Sequence, residues 1–208
     1  MAGRANLTFD ELVEFDNLIA YSRYNLVAGV DEAGRGALAG PVVAAAVICR
    51  PTERLDRVRD SKLLSENLRE SLYELIIDDA IAWGVGIVES DEIDRVNILN
   101  ATMEAMKEAV ASLAVMPEFV MVDGGKLPEL AVPSKAVIGG DGKSFSIAAA
   151  SIVAKVTRDR IMRARSKEFP LYGFARNKGY GTREHIAAIV KHGHSPFHRR
   201  SFKIKASI

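Results

Sequence analysis

The chain has 208 residues, 48% of them hydrophobic and 26% charged, with a net charge of +1 and a single cysteine. That length supports one sizeable core, and the composition is that of a folded globular protein rather than a disordered or fibrous one. No apolar run reaches membrane-span length, Met1 to Leu7 carry no apolar stretch with a cleavage site, and one cysteine excludes an internal disulfide, so the expectation is a cytoplasmic protein and no membrane partner.

Thr8 and Glu11 have capping-box spacing and open a predicted helix to about Tyr21. Leu26 to Cys49 reads as two apolar strands joined by a glycine-rich connection, with Cys49 as a small buried hydrophobe. Pro51 to Asp60 is polar and irregular. Ser65 then caps a helix whose Leu68, Leu72, Leu75 and Ile76 share one face. Ala80 to Val88 reads as a strand, Ser90 to Arg95 as a short helix start, and Ile98 to Leu113 as a helix with Met103 and Met106 as core filler. Phe119 to Val122 and Ala136 to Ile138 are further strands. A helix from Ser144 continues to about Phe169, where Pro170 and Gly173 break it. Asn177 to Gly181 is a loop, Thr182 starts a helix to about His192, and His194 to Ile208 form a basic tail with Phe197 and Phe202 interleaved. Strands that first cluster and then alternate with helices argue for an α/β fold with a mixed sheet.

Charge is distributed unevenly. From Lys155 to the end there are 14 Lys or Arg against 3 acids, and all four histidines lie there too. One-sided basic stretches point to nucleic-acid contact; the alternative is that Arg158 to Lys167 form a solvated helix face. His192, His194 and His198 lack a nearby cysteine and read as solvated or phosphate-facing rather than as a zinc site. Gly142-Lys143-Ser144 is not a nucleotide-binding loop, because Val137 stands where that motif needs glycine.

The acids carry the chemistry. Asp31 and Glu32 end the first strand and run into a Gly34-Arg35-Gly36 loop. Asp123 closes a later strand, and Asp141 follows another; glycine neighbours both. Taken singly, each is also a turn former or a solvated acid. Regular strand geometry sends Asp31 and Glu32 to opposite faces unless the strand twists or bulges. If the strand ends lie side by side, four carboxylates converge, and only cations stabilise such a cluster. Oxygen ligands suit hard cations such as magnesium or manganese. Asp159, inside a helix, reads as a surface or helix-pairing residue.

Asp31-Glu32-Ala33-Gly34-Arg35-Gly36, followed by Gly40-Pro41, resembles the signature of bacterial ribonuclease HII, within the type 2 ribonuclease H family. The resemblance runs from about Leu26 to Phe202. It implies a ribonuclease H-like mixed five-stranded sheet flanked by helices, with a helical C-terminal extension. The implied units are an N-terminal helical segment (1–25), a catalytic core (26–169) and a basic extension (170–208) packed on it as one structural unit. The implied activity is endonucleolytic cutting of RNA in RNA–DNA hybrids and on the 5′ side of single ribonucleotides in duplex DNA. The products carry a 5′-phosphate and a 3′-hydroxyl. Asp31, Glu32, Asp123 and Asp141 are the implied catalytic ligands of Mn2+ or Mg2+, with two ions roughly 4 Å apart clamping the scissile phosphate. Gly34, Arg35 and Gly36 would engage the 2′-hydroxyl, and Tyr180 would sense the ribose. Lys62, Ser151 and Lys155 match family stretches with plausible phosphate contacts. Arg199 and Arg200 would bind backbone. A monomer is expected. A non-catalytic nucleic-acid-binding protein on the same fold, and a metal nuclease acting on DNA junctions or ends, are the competing readings.

Overall fold

The structure, a computed structural model, describes residues 7–204. The expectations for Met1 to Asn6 and for the tail beyond Ile204 lie outside the described residues.

Helix α1 (Phe9–Asp16) begins with both bonds of the capping box: Glu11 N–H donates to Thr8 Oγ1 at 3.3 Å, and Thr8 N–H donates to Glu11 Oε2 at 2.7 Å. It does not continue as an α-helix to Tyr21; Asn17–Tyr21 form a π-helical turn. Five strands follow: β1 (Val27–Ala33), β2 (Val42–Ile48), β3 (Ala82–Val88), β4 (Phe119–Asp123) and β5 (Ser134–Val137). Their order is β3-β2-β1-β4-β5. The first three pair antiparallel, and β4 and β5 join parallel. β5 starts and ends earlier than expected, because Gly139 turns the chain at φ +66° and leaves Ile138 exposed.

The helices are α2 (Glu66–Asp79), α3 (Ser90–Val96), α4 (Ile98–Ala111), α5 (Phe145–Glu168), α6 (Phe174–Asn177) and α7 (Arg183–His192). Strand pleating divides the core. Ala45 and Val47 face α5, with Ala148, Ala149 and Ile152 among their cluster. Ala28, Val30, Ala44 and Ala46 face α4, with Ala101, Ala105 and Ala109. β2 is therefore buried on both faces, as its unbroken apolar run requires. Leu72 and Ile76 of α2 are buried, with Leu68 and Leu75 packed at the edge of the same cluster. The stretch Pro51 to Asp60 is less loose than its polarity suggests: it contains a 3-10 turn, and Leu55 and Val58 enter the core. Among the described residues, no helix is long and apolar enough to cross a membrane.

The structure refines the expectations about charge. The basic run of α5 is a partly exposed face whose arginines are paired with acids, apart from Arg158, which is buried. Arg160 pairs with Glu70 and Glu74 of α2 at 2.7 Å, Arg163 pairs with Glu66 at 2.7 Å, and Arg165 pairs within its own helix with Glu168. Asp159 is buried and takes the helix-pairing alternative, accepting from Lys155 Nζ one turn away at 2.6 Å. His198 is likewise not solvated. It is buried among Tyr172, Phe174 and Phe197, and its Nε2 lies 3.1 Å from that of His185. This aromatic cluster packs the C-terminal elements onto the rest, and an isolated bridge pairs Ala39 with His198.

α5 lies so close to β1 that a Cβ on Gly29 would meet the Ser146 carbonyl oxygen at 2.0 Å. Gly29→Ala is expected to destabilise the fold by about 3 kcal/mol, since neither backbone can yield; an unchanged urea midpoint would contradict this packing. Burial, then the His185 and His194 charges, push His198 from 6.5 down to about 4. The neutral ring therefore contributes stability that is present above pH 6.5 and is lost as pH falls through about 4. By about pH 5 roughly 2 kcal/mol is lost. Urea denaturation of the wild type and His198→Gln on both sides of that window tests this: the gap between them should narrow in acid, and a constant gap would clear His198.

Candidate active site

Strand register builds the site. Val30 of β1 stands opposite Val122 of the parallel strand β4. The next residue on each strand is an acid, so Asp31 and Asp123 lie side by side on the α5 face. Asp123 pairs in turn with Val137 of β5, and the chain then turns through Gly140–Gly142, a 3-10 turn that carries Asp141. Gly140 N–H donates to Asp123 Oδ1 at 2.6 Å and ties that turn to the β4 end. Carboxylate oxygens of Asp31, Asp123 and Asp141 all lie within 4.8 Å of one another.

Glu32 lies outside this tightest group of three, but it lines the same cleft and its charge acts on Asp31. The β1–β2 ladder continues without a bulge to Ala33, so the pleat sends Glu32 toward the α4 side. Its carboxylate accepts from Arg35 Nη1 at 3.2 Å. Beyond it a second hollow of about 170 Å³ opens, walled by Leu99, Met103 and Met106 of α4.

Burial makes charge on these acids costly. Burial raises Asp31 well above the usual carboxylate range, and the Glu32 and Asp123 charges add to it. Burial raises Glu32 too, opposed by Arg35. Burial also raises Asp123, against the donated Gly140 N–H. Lys62 Nζ donates to Asp141 Oδ2 at 2.6 Å. Burial works against the Lys62 ammonium, but that hydrogen bond and the Asp141 charge lift it above its ordinary value.

The cleft holds about 220 Å³. Asp31, Glu32 and Asp123 line one side, and Gly34, Arg35, Gly36, Lys62, Ser151, Lys155 and Tyr180 complete it. Residues far apart in sequence are thus brought together. Ser61 was missed as a site residue; it lines the cleft and its hydroxyl is 2.9 Å from Ser151 Oγ. Its adjacency to Lys62 was the available signal. The Tyr180 carbonyl accepts from Thr182 N–H at 2.8 Å, and His185 Nδ1 lies 2.9 Å from it. Burial lowers Lys155 below its ordinary range, although Asp159 opposes this.

Two basic residues fall elsewhere. Arg199, expected on the nucleic-acid surface, is only 1% exposed and donates to the Gly40 and Arg35 carbonyls at 2.9 and 3.0 Å. A guanidinium so placed cannot reach a phosphate. Arg200 is exposed outside the cleft, its N–H donating to Asp94 at 2.7 Å.

Comparison with known proteins places this geometry. The model for the family Ribonuclease HII matches residues 28–205. A ribonuclease HII of Acetivibrio thermocellus is 56% identical over 184 residues, covering 88% of this chain and 72% of the relative. One from Geobacter metallireducens is 52% identical over 200 residues, covering 94% of each. The crystal structure of ribonuclease H2 from Pyrococcus horikoshii OT3 superposes with a TM-score of 0.74 at 29% identity, covering 86% of this chain and 95% of that one. The RNase HII in the PCNA:RNase HII complex from Archaeoglobus fulgidus gives 0.73 at 28% identity, covering 88% and 98%. These neighbours share the ribonuclease H-like fold expected from the sequence. With a family model spanning residues 28–205 and relatives identical at more than half of the aligned positions, the chain belongs to the ribonuclease HII family.

Proposed function

We propose that this ribonuclease H cuts the RNA strand of RNA–DNA hybrids, and cuts on the 5′ side of a single ribonucleotide embedded in duplex DNA. The products are a 5′-phosphate and a 3′-hydroxyl, and the reaction depends on Mg2+ or Mn2+. One observation carries the reading: of three carboxylates within 4.8 Å of one another, Asp31 and Asp123 line a cleft that also presents the Gly-Arg-Gly loop and Tyr180, with Asp141 directly behind them.

The donor set fits hard divalent cations. It is all oxygen, and burial and mutual repulsion raise Asp31 and Asp123, a strain that a cation relieves. Asp31, Asp123 and Asp141 would hold the metal, with Glu32, which lines the same cleft, as the fourth carboxylate ligand. Bound there in a pair, divalent ions supply a water of lowered pKa and charge stabilisation for the leaving 3′ oxygen.

The other residues choose the substrate. The 2′-hydroxyl, donor and acceptor at once, distinguishes RNA from DNA. Among the described residues, no internal acceptor takes the amides of Arg35 and Gly36, so both can serve a ligand. A Cβ built on Gly36 meets nothing within 4 Å, so packing does not demand glycine there. The space belongs to whatever approaches. Tyr180 closes the cleft, its ring centroid 5.7 Å from Lys155 Nζ. Lys62 and Lys155 bring positive charge toward phosphate.

The test is cleavage of a DNA duplex containing one ribonucleotide, beside an all-DNA duplex, with magnesium, manganese or chelator. A metal-dependent cut 5′ of the ribonucleotide alone is expected; cutting both duplexes would overturn the substrate assignment. Asp123→Asn should fold and bind hybrid yet lose activity by about a thousandfold or more, and wild-type turnover would remove Asp123 from the site. Gly36→Ala should leave the melting temperature unchanged while lowering kcat/KM on the ribonucleotide duplex about tenfold or more. A loss of stability with unchanged cleavage would reverse that account of Gly36.

A further inference from the structure

Two guanidiniums lie buried beneath the loop from Gly34 to Pro41. Arg158 is 0% exposed and Arg199 is 1% exposed. Arg158 donates from Nε to the Pro41 carbonyl at 2.9 Å, from Nη2 to Ala39 at 3.1 Å and from Nη1 to Lys178 at 2.9 Å. Arg199 donates from Nε to Gly40 at 2.9 Å and from Nη1 to Arg35 at 3.0 Å. Its Nη2 is buried with no partner among the described residues. Neither guanidinium forms an ion pair with a carboxylate among the described residues.

Burying cations against carbonyls alone is expensive. A loop that needed only to be folded could be held by neutral amides. The arrangement also fixes an orientation. The peptide joining Arg35 to Gly36 is trans, so its carbonyl and its N–H point in opposite directions. Arg199 holds that carbonyl inward. The Gly36 N–H is thereby turned away from Arg199, and Gly36 itself lines the cleft. Gly34 is shaped by the same pair: a Cβ there would lie 2.0 Å from Arg158 Nε. Its glycine serves the arginine beneath it, whereas Gly36 leaves space for a ligand.

We infer that Arg199, seated beside Arg158, is a positioning residue for ribonucleotide discrimination: it orients the Arg35–Gly36 peptide so that the Gly36 amide faces the incoming sugar-phosphate backbone. This rests on the substrate reading given above. Arg158 holds the far end of the loop and joins it to the Tyr180 segment through the Lys178 carbonyl. The two charges also lie behind the loop as a cationic floor, attractive to a polyanion.

The experiment compares wild type, Arg199→Lys and Arg199→Met, each first shown to be folded by circular dichroism. Affinity for the single-ribonucleotide duplex and for the all-DNA duplex is measured in chelator, and kcat and KM are measured in magnesium. Lysine keeps the charge but cannot span both carbonyls. Arg199→Lys should therefore keep all-DNA affinity while losing preference for the ribonucleotide duplex by about tenfold, the worth of one well-placed hydrogen bond. Arg199→Met should lose that preference and weaken binding to both duplexes. A folded variant of either kind with wild-type preference overturns the inference. If Arg199→Met does not fold, Arg199→Lys decides alone by the same criterion. A wild type that treats both duplexes alike overturns the substrate reading, and this inference with it, before any variant is compared.

Discussion

Three carboxylates held within 4.8 Å of one another repel, and the sheet is what keeps them together. Parallel pairing sets Asp31 beside Asp123, because Val30 and Val122 are in register. The Gly140 amide then ties the Asp141 turn to Asp123. Covering this with α5 removes water from Asp31 and makes the repulsion costlier still. The close seat of α5 on Gly29 is part of the same construction, two residues before the first acid. Stability spent here is returned only when positive charge enters. Lys62 supplies part of it, and a divalent cation would supply the rest.

The cleft brings charge of both signs together. Asp31, Glu32 and Asp123 line it beside the Gly34 to Gly36 loop, and Arg35 of that loop donates to Glu32. Behind the loop lie Arg158 and Arg199, which form no ion pair with a carboxylate among the described residues. A polyanionic backbone entering the cleft would be attracted by these cations and would need further positive charge at the acids.

Much of this was legible in the sequence, and the reasons differ by residue. The mixed sheet followed from apolar runs and their punctuation. The acids stood out because each ended a strand beside glycine. What the sequence could not show was direction across the pleat. Glu32 is adjacent to Asp31 in the chain, and only the unbroken ladder to Ala33 reveals that it turns to the α4 side. Burial of charge was also hidden. Arg158, His198 and Arg199 sit in a basic, surface-like stretch, yet they are interior, with hydrogen bonds to backbone carbonyls and an imidazole nitrogen from other segments. No local periodicity encodes such long-range partners. The pairing of α5 arginines with Glu66, Glu70 and Glu74 was invisible for the same reason.

The central claim is that the cluster of Asp31, Asp123 and Asp141 exists to hold divalent cations. Calorimetric titration of manganese into the nucleic-acid-free protein tests it most directly, beside a variant in which all three are asparagine. The account predicts saturable binding to the wild type and none to the variant. Equal binding by both proteins would place the metal elsewhere and contradict the account.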